Sequence, residues 1–109
     1  MTQTIPEITV QDLAQVRDDG AAHTLLDVRE PPEVEICAID GALFIPMQSV
    51  PARLSEIPRG KKTIVMCHHG GRSAAVARFL IEQGYDDVHN LAGGIDAWAR
   101  DIDTAMTRY

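Results

Sequence analysis

One short segment of the sequence concentrates side chains that could do chemistry. It reads MCHHGGRS over residues 66–73 and follows the apolar run TIV. A cysteine, two histidines, two glycines, an arginine and a serine at this spacing could form a metal site, a phosphate-binding loop or the surroundings of a nucleophile. The candidate residues are Cys67, His68, His69, Gly70, Gly71, Arg72 and Ser73.

A metal site fits this spacing poorly. Cys67, His68 and His69 are consecutive, whereas metal ligands usually recur at spacings such as C-x-x-C or H-x-x-x-H. The other two histidines, His23 and His89, stand alone in the sequence. We therefore expect neither a bound metal nor a cofactor.

Cys67 is better suited to be a nucleophile. It ends an apolar run, and a helix is predicted to begin near Ser73, so the loop between them must be tight. Gly70 and Gly71 can adopt positive φ, and successive N–H groups in such a turn bind an anion at the positive end of a helix. With Arg72 close by, the thiol should ionise below its reference pKa of about 8.5. Without these neighbours, a cysteine after IVM would be interpreted as an inert core thiol.

A phosphate-binding loop is the competing interpretation. Cysteine-dependent phosphatases place five residues between the cysteine and the arginine, whereas only four residues separate Cys67 from Arg72. The smaller ring of N–H groups suits one additional sulfur atom better than a phosphoryl group. The rings of His68 and His69 either face the thiolate as polar walls or are exposed bystanders, and the sequence leaves both possibilities open.

Length and composition limit the classes of protein to consider. The 109 residues suit one domain over residues 1–109, with its core at about 5–102. The net charge of −6 without a basic block argues against nucleic-acid and anionic-membrane partners, and no apolar stretch is long enough to span a bilayer. No export signal is indicated either, so we expect a cytoplasmic location. Two cysteines are too few for a disulfide scaffold, and in a reducing compartment we expect both to be free thiols.

The elements around the loop follow from apolar runs and helix-end signals. Runs without alternation indicate strands buried on both faces of a parallel sheet. Strands are predicted near Ile8 and at 23–28, 41–46, 63–67 and 87–91. Helices are predicted from a Thr9–Asp12 capping box to Gly20, from Pro51, over 73–84 and behind Gly93-Gly94, with i,i+4 pairs Arg78–Glu82 and Asp96–Arg100. This order predicts an α/β fold with a mostly parallel sheet of about five strands and helices on both faces.

Four motifs, in this order, resemble the small single-domain members of the rhodanese-like sulfurtransferase family. They are LLDVREPPE at 25–33, AIDGALFIP at 38–46, VMCHHGGRSAAVARFL at 65–80 and NLAGGIDAW at 90–98. The resemblance extends from about Ile8 to Trp98. It implies a single rhodanese-like domain whose nucleophile is Cys67.

The resemblance also implies a reaction. Cys67 would take a sulfane sulfur from thiosulfate or a persulfide, hold it as a persulfide, and pass it to a thiol, cyanide or a protein. The N–H groups of residues 68–73 would stabilise the persulfide, and Arg72 would fix the loop or hold an anionic donor. Asp27 and Arg29 match the family's Asp-Val-Arg, and we expect a structural ion pair or a cap. Gly93-Gly94 and Trp98 are expected to form a turn and a core contact away from substrate.

Two departures from the family pattern keep alternatives open. Cys37-Ala38-Ile39 stands where many relatives have Gly-His-Ile, so Cys37 is either a packed thiol or a thiol that resolves the persulfide as a disulfide. The loop also lacks the additional basic residue of thiosulfate-directed relatives, which leaves the natural donor open. The alternatives to catalysis of sulfur transfer are a non-catalytic regulatory or binding module and a small cysteine-dependent phosphatase or arsenate reductase. The segment DTAMTRY at 103–109 remains unplaced.

Overall fold

A computed structural model describes residues 4–109 and contains a five-stranded, entirely parallel sheet flanked by helices. The strands are β1 (Glu7–Ile8), β2 (His23–Asp27), β3 (Leu43–Phe44), β4 (Lys62–Met66) and β5 (Val88–Leu91), in the spatial order β1-β5-β4-β2-β3. The α-helices are α1 (Val10–Asp19), α2 (Pro31–Ile36), α3 (Gly71–Glu82) and α4 (Gly94–Asp101). The predicted fold class is confirmed.

The two central strands show why the sheet is parallel and covered on both sides. β2 and β4 pair along their whole length, from His23 with Lys62 to Asp27 with Met66. Leu26 and Val65 face the side that carries α3, whereas Leu25 and Ile64 face the side that carries α1 and α4. Continuous apolar runs are therefore the correct pattern for these strands.

Capping residues and glycines determine where the helices that border the sheet begin and end. Thr9 and Asp12 form the predicted capping box of α1, and Gly20 ends this helix in a left-handed conformation. α3 begins at Gly71 and ends before Gly84, close to its predicted bounds. α4 begins at Gly94 and buries Trp98, as predicted.

Several local predictions were wrong. Pro51 does not begin an α-helix, because the segment that it opens forms only the 3₁₀ turn Leu54–Glu56, which ends shortly before Pro58. A second 3₁₀ turn, Met47–Ser49, was not predicted, and neither was α2.

The two predicted i,i+4 ion pairs also do not form among residues 4–109. Asp96 instead pairs with Arg108, whose Nε lies 3.1 Å away, and Arg100 pairs with its neighbour Asp101 at 2.9 Å. No hydrogen bond or ion pair joins the side chains of Arg78 and Glu82, which are both exposed and cost little to leave in water.

The C-terminal segment, which the sequence left unplaced, packs against the domain. Met106 lies on the apolar cluster between the sheet and α4. Tyr109 reaches the carboxyl edge of the sheet and stacks on the ring of His68. No helix within residues 4–109 has the length and apolar character needed to cross a membrane.

Candidate active site

Cys67 lies where a parallel α/β sheet usually binds its ligand. It follows β4 by one residue at the carboxyl edge of the sheet, and α3 begins only four residues later. Gly70, the residue before α3, has φ +112°, a conformation that disfavours any side chain. The glycine therefore lets the chain turn sharply enough to place the first turn of α3 against the sulfur.

Hydrogen-bond donors surround the Cys67 sulfur, which is 1% exposed. The N–H of Gly70 lies 3.1 Å from Sγ, the N–H of Ser73 lies 3.4 Å from it, and the Ser73 hydroxyl lies 3.3 Å from it. Burial raises the pKa of the Cys67 thiol, but hydrogen bonds from Ser73, Gly70 and the N–H of His69 outweigh it, so the pKa lies below its ordinary value. The loop is therefore built to hold a negative charge on sulfur.

The start of α4 supports this loop from the other side. The N–H of Ile95 donates to the carbonyl of Cys67 at 2.9 Å, and the N–H of Asp96 donates to the carbonyl of His68 at 3.0 Å. A β-carbon at Gly94 would overlap both carbonyl oxygens. Gly94 thus does more than form a turn, because its lack of a side chain lets α4 dock on the backbone of the nucleophile.

Arg72 does not reach into open solvent as a free cation. Its Nη1 and Nη2 bind the two carboxylate oxygens of Glu33 at 2.7 and 2.8 Å. This bidentate pair lowers the pKa of Glu33 from 4.5 to about 2, against the opposing effect of burial. The contact links α3 to α2 beside the Cys67 loop.

Asp27 and Arg29 form an ion pair inside the protein. Nη2 of Arg29 lies 2.7 Å from Oδ2 of Asp27, and the two side chains are 0% and 1% exposed. Arg29 also donates to the carbonyls of Glu33 and Cys37, which bound the last turn of α2. The geometry is that of a structural pair which fixes α2 against the end of β2.

The two cysteines are both free thiols. Cys37 is half-buried at the end of α2, and its Sγ lies 4.0 Å from Nη1 of Arg29. Cys67 is buried, and no disulfide joins the two. The choice between a packed and a resolving role for Cys37 stays open.

The histidine rings lie outside the donor set of the sulfur. The ring of His68 stacks on Tyr109 with centroids 3.8 Å apart, and its buried Nε2 has no hydrogen-bond partner within residues 4–109. Burial, together with the neighbouring His69, lowers the pKa of His68 and so favours the neutral imidazole. The side chain of His69 is 67% exposed and lies 3.9 Å from a carboxylate oxygen of Asp96. Of His69, it is the backbone N–H that helps to lower the pKa of Cys67.

Three residues near the loop were not among the predicted site residues. Glu33 stands inside the quoted motif LLDVREPPE, and its position after Pro31-Pro32 is a helix-start signal that could have revealed α2. Asn90 is a polar side chain in a buried strand, which is itself a signal, and its Oδ1 lies 2.5 Å from the Ser73 hydroxyl. Tyr109 stands outside every motif, and nothing in the sequence pointed to its position.

The arrangement suits a sulfur nucleophile that is held as a thiolate. The N–H groups converge on one atom, and no group of three or more His, Cys, Asp or Glu side chains within residues 4–109 is placed to hold a metal ion. The described geometry thus brings Cys67, Gly70 and Ser73 together, with Arg72 close by and the two histidine rings turned away.

Comparison with known proteins agrees with the sequence motifs. The family model for the rhodanese-like domain matches residues 9–101. A sulfurtransferase of Allochromatium vinosum is 41% identical over 96 residues, which cover 88% of this chain and 90% of the relative. The thiosulfate sulfurtransferase GlpE of Pseudomonas aeruginosa is 31% identical, with 90% of this chain and 87% of the relative covered.

A solved structure and several longer proteins complete the comparison. The crystal structure of a rhodanese-related protein from Thermoplasma volcanium is 34% identical and superposes with a TM-score of 0.81, covering 89% of this chain and 93% of the other. Other relatives are much longer, and this chain spans only 23–38% of their length.

Proposed function

The chain belongs to the rhodanese-like domain family, and we propose on this basis that it is a sulfurtransferase that uses Cys67 as its sulfur carrier. Relatives named sulfurtransferase support sulfur transfer in general. The observation that carries the proposal for this chain is the buried Cys67 Sγ, which lies 3.1–3.4 Å from the N–H groups of Gly70 and Ser73 and from the Ser73 hydroxyl.

In the first step the Cys67 thiolate attacks the outer, sulfane sulfur of the donor. A bond forms between Sγ and this sulfur, and the donor's own sulfur bond breaks, so its electron pair leaves with the remainder. With thiosulfate the leaving group is sulfite, and with a low-molecular-weight persulfide it is a thiolate. The negative charge then resides on the outer sulfur of the Cys67 persulfide, close to the N–H groups at the start of α3.

In the second step an acceptor thiolate, a cyanide ion or a protein thiolate attacks the outer sulfur. The bond between the two sulfurs breaks, and its electron pair returns to Sγ as the thiolate. The products are a new persulfide or thiocyanate and the free enzyme. Because Gly70 and Ser73 already direct donors at Sγ, this leaving thiolate is stabilised without a rearrangement of the loop.

The charges around the loop bear on the choice of donor. Glu33 neutralises Arg72, which is the cation of the segment 67–73. A dianionic donor such as thiosulfate therefore gains little electrostatic attraction from this arginine. A donor that carries less charge does not depend on that attraction. We expect persulfides to be better donors than thiosulfate, with low-molecular-weight or protein thiols as acceptors.

Intact-protein mass spectrometry tests the reaction directly. The protein is exposed to thiosulfate or to glutathione persulfide, and we expect a gain of one sulfur atom that maps to Cys67 and disappears when an acceptor thiol is added. Cys67→Ser should lose both the adduct and the turnover, whereas the matched control Cys37→Ser should retain them. An adduct that persists in Cys67→Ser would sink the proposal.

The alternatives to sulfur transfer predict different results for the same protein. A non-catalytic binding module would accept no sulfur on Cys67, and a phosphatase would hydrolyse an aryl phosphate in a Cys67-dependent manner. The cytoplasmic location and the single domain over residues 1–109 stay predictions.

A further inference from the structure

Asn90 lies beneath the start of α3, next to the hydroxyl group that faces the Cys67 sulfur. It belongs to β5, is 3% exposed, and points to the side of the sheet that α3 covers. Its Oδ1 lies 2.5 Å from the Ser73 Oγ, which in turn lies 3.3 Å from the Cys67 Sγ. The three side chains form a chain of contacts inside the protein.

The neighbours of Asn90 fix the orientation of its amide group. Nδ2 lies 3.0 Å from the carbonyl oxygen of Gly70 and 3.3 Å from a carboxylate oxygen of Glu7. A carbonyl and a carboxylate only accept hydrogen bonds, so the opposite orientation would place Oδ1 against two acceptors. Oδ1 must therefore face Ser73, where it can only accept the hydrogen of the Ser73 hydroxyl.

The Ser73 hydroxyl cannot serve both neighbours at once, because it has one hydrogen. A protonated Cys67 can donate its own S–H to Oγ while Ser73 donates to Asn90. A Cys67 thiolate can only accept, so it and Asn90 Oδ1 require the same hydrogen. We propose that Asn90 is a positioning residue for sulfur transfer that competes with the Cys67 sulfur for the single hydrogen of the Ser73 hydroxyl.

This competition has a direct consequence for the reaction, which rests on Cys67 being the sulfur carrier proposed above. The free thiolate receives less help from Ser73 than the geometry of the loop offers, so it is a stronger base and a stronger nucleophile. Once a sulfur has been added, the charge moves to the outer sulfur and Ser73 donates to Asn90 without competition. Asn90 therefore favours the loaded state of the enzyme over the free thiolate.

Other charged and titratable groups near Cys67 must be held constant in any test. Arg72 approaches from α3, with its partner Glu33 on α2. The remaining groups are His68 and His69 in the loop, Asp96 on α4, Tyr109 of the C-terminal segment and Glu7 on β1, the last of which touches Asn90 itself. Glu7→Gln therefore serves as a control, since it retains an acceptor for Asn90 and removes the charge.

The pH dependence of iodoacetamide alkylation measures the two quantities that the proposal links, the apparent pKa of Cys67 and the reactivity of its thiolate. In the full chain carrying Cys37→Ser, only Cys67 reacts. With Asn90→Leu, which resembles asparagine in shape but accepts no hydrogen bond, we expect the apparent pKa of Cys67 to fall by about 0.5–1 unit. The rate constant at the high-pH plateau should fall about two- to threefold, because a less basic thiolate is a weaker nucleophile.

The same substitution in a Ser73→Ala variant separates the competition for the hydroxyl hydrogen from a general structural effect of Asn90→Leu. In Ser73→Ala there is no hydroxyl hydrogen to compete for, so adding Asn90→Leu should leave the pKa of Cys67 where Ser73→Ala alone placed it. An equal shift in both backgrounds would show that Asn90 acts through the Gly70 carbonyl, and an unchanged or raised pKa in Asn90→Leu would equally overturn the proposal.

Two further provisions keep the result interpretable. If Asn90→Leu lacks the native circular dichroism spectrum, Asn90→Ser replaces it, since serine stays polar but is too short to reach Oγ of Ser73. Alkylation requires no sulfur donor, so failure of this proposal is measured independently of whether Cys67 accepts sulfur.

Discussion

Two arginine–carboxylate pairs border α2, and they show how burial changes the role of the same chemistry. In each pair a guanidinium nitrogen lies 2.7 Å from a carboxylate oxygen. The side chains of Arg29 and Asp27 are 0% and 1% exposed, whereas those of Arg72 and Glu33 are 37% and 20% exposed. The distances are equal, so the difference must come from the surroundings.

The partners of the two arginines explain the difference. Beyond its carboxylate, Arg29 donates to two carbonyls at the end of α2 and to the hydroxyl of Tyr109. The guanidinium of Arg72 has Glu33 as its hydrogen-bond partner within the described residues. The buried pair therefore holds elements of the fold together, whereas the outer pair sets the charge beside Cys67 and contributes less to stability.

Removal of the buried arginine should have the largest effect. Arg29→Met removes the charged partner of the buried Asp27 carboxylate and leaves it only the N–H of residue 29, so we expect a loss of about 3–5 kcal/mol in the free energy of unfolding. Urea unfolding measures it. The matched control is Arg53→Met, which removes an exposed pair with Glu56 and should cause no measurable change. Similar losses in both variants would contradict the comparison.

The outer pair should affect donor choice more than stability. Glu33→Gln keeps a side chain of the same shape at the start of α2 but no longer neutralises Arg72. We expect kcat/KM for thiosulfate to rise about five- to tenfold relative to that for a persulfide, which corresponds to about 1–1.4 kcal/mol. Steady-state kinetics with both donors measures it.

A charge change elsewhere on the same helix provides the control for this variant. Glu35→Gln removes the same charge from an exposed position of α2 and should leave the donor ratio unchanged. If both variants raised thiosulfate use equally, net charge rather than release of Arg72 would be the cause.

The pH dependence of stability should separate the outer pair from the rest of the molecule. The pKa of Glu33 is lowered from 4.5 to about 2 in the folded protein, so its contribution is complete above pH 4.5 and disappears as the pH falls through 2. The difference in unfolding free energy between the native sequence and Glu33→Gln should be about 1 kcal/mol at pH 6, after screening by solvent, and should vanish near pH 2. A difference that does not depend on pH would contradict the low pKa.

The sequence predicted what depends on neighbours along the chain. Continuous apolar runs identified β2 and β4, and the spacing from Cys67 to Arg72 identified the loop. The capping box of α1 and the glycine before α4 are likewise signals within a few residues. Such patterns act through hydrogen bonds and apolar contacts inside one element, so a sequence displays them directly.

What the sequence did not predict depends on contacts between distant segments. Glu33 and Arg72 are 39 residues apart, and Asn90 and Ser73 are 17 apart. The predicted pair of Asp96 with Arg100 was wrong for the same reason, because Asp96 pairs with Arg108, 12 residues away along the chain. Several charged residues could serve as partners equally well, and tertiary packing decides which of them meet. The periodicity of the sequence therefore does not predict these pairs.

Tyr109 joins the two pairs, and its hydroxyl should carry the smallest effect. This group donates to Oε1 of Glu33 at 3.0 Å and accepts from Nη1 of Arg29 at 3.1 Å. Tyr109→Phe keeps the ring on His68, so we expect a loss of about 0.5–1 kcal/mol in the free energy of unfolding. Because the hydroxyl helps to lower the pKa of Glu33, the loss should shrink below pH 4. The hydroxyl of Tyr85 donates to the carbonyl of Ile57, so the loss in Tyr85→Phe should stay constant with pH. Identical pH profiles of the two variants would show that the Tyr109 hydroxyl does not act on Glu33.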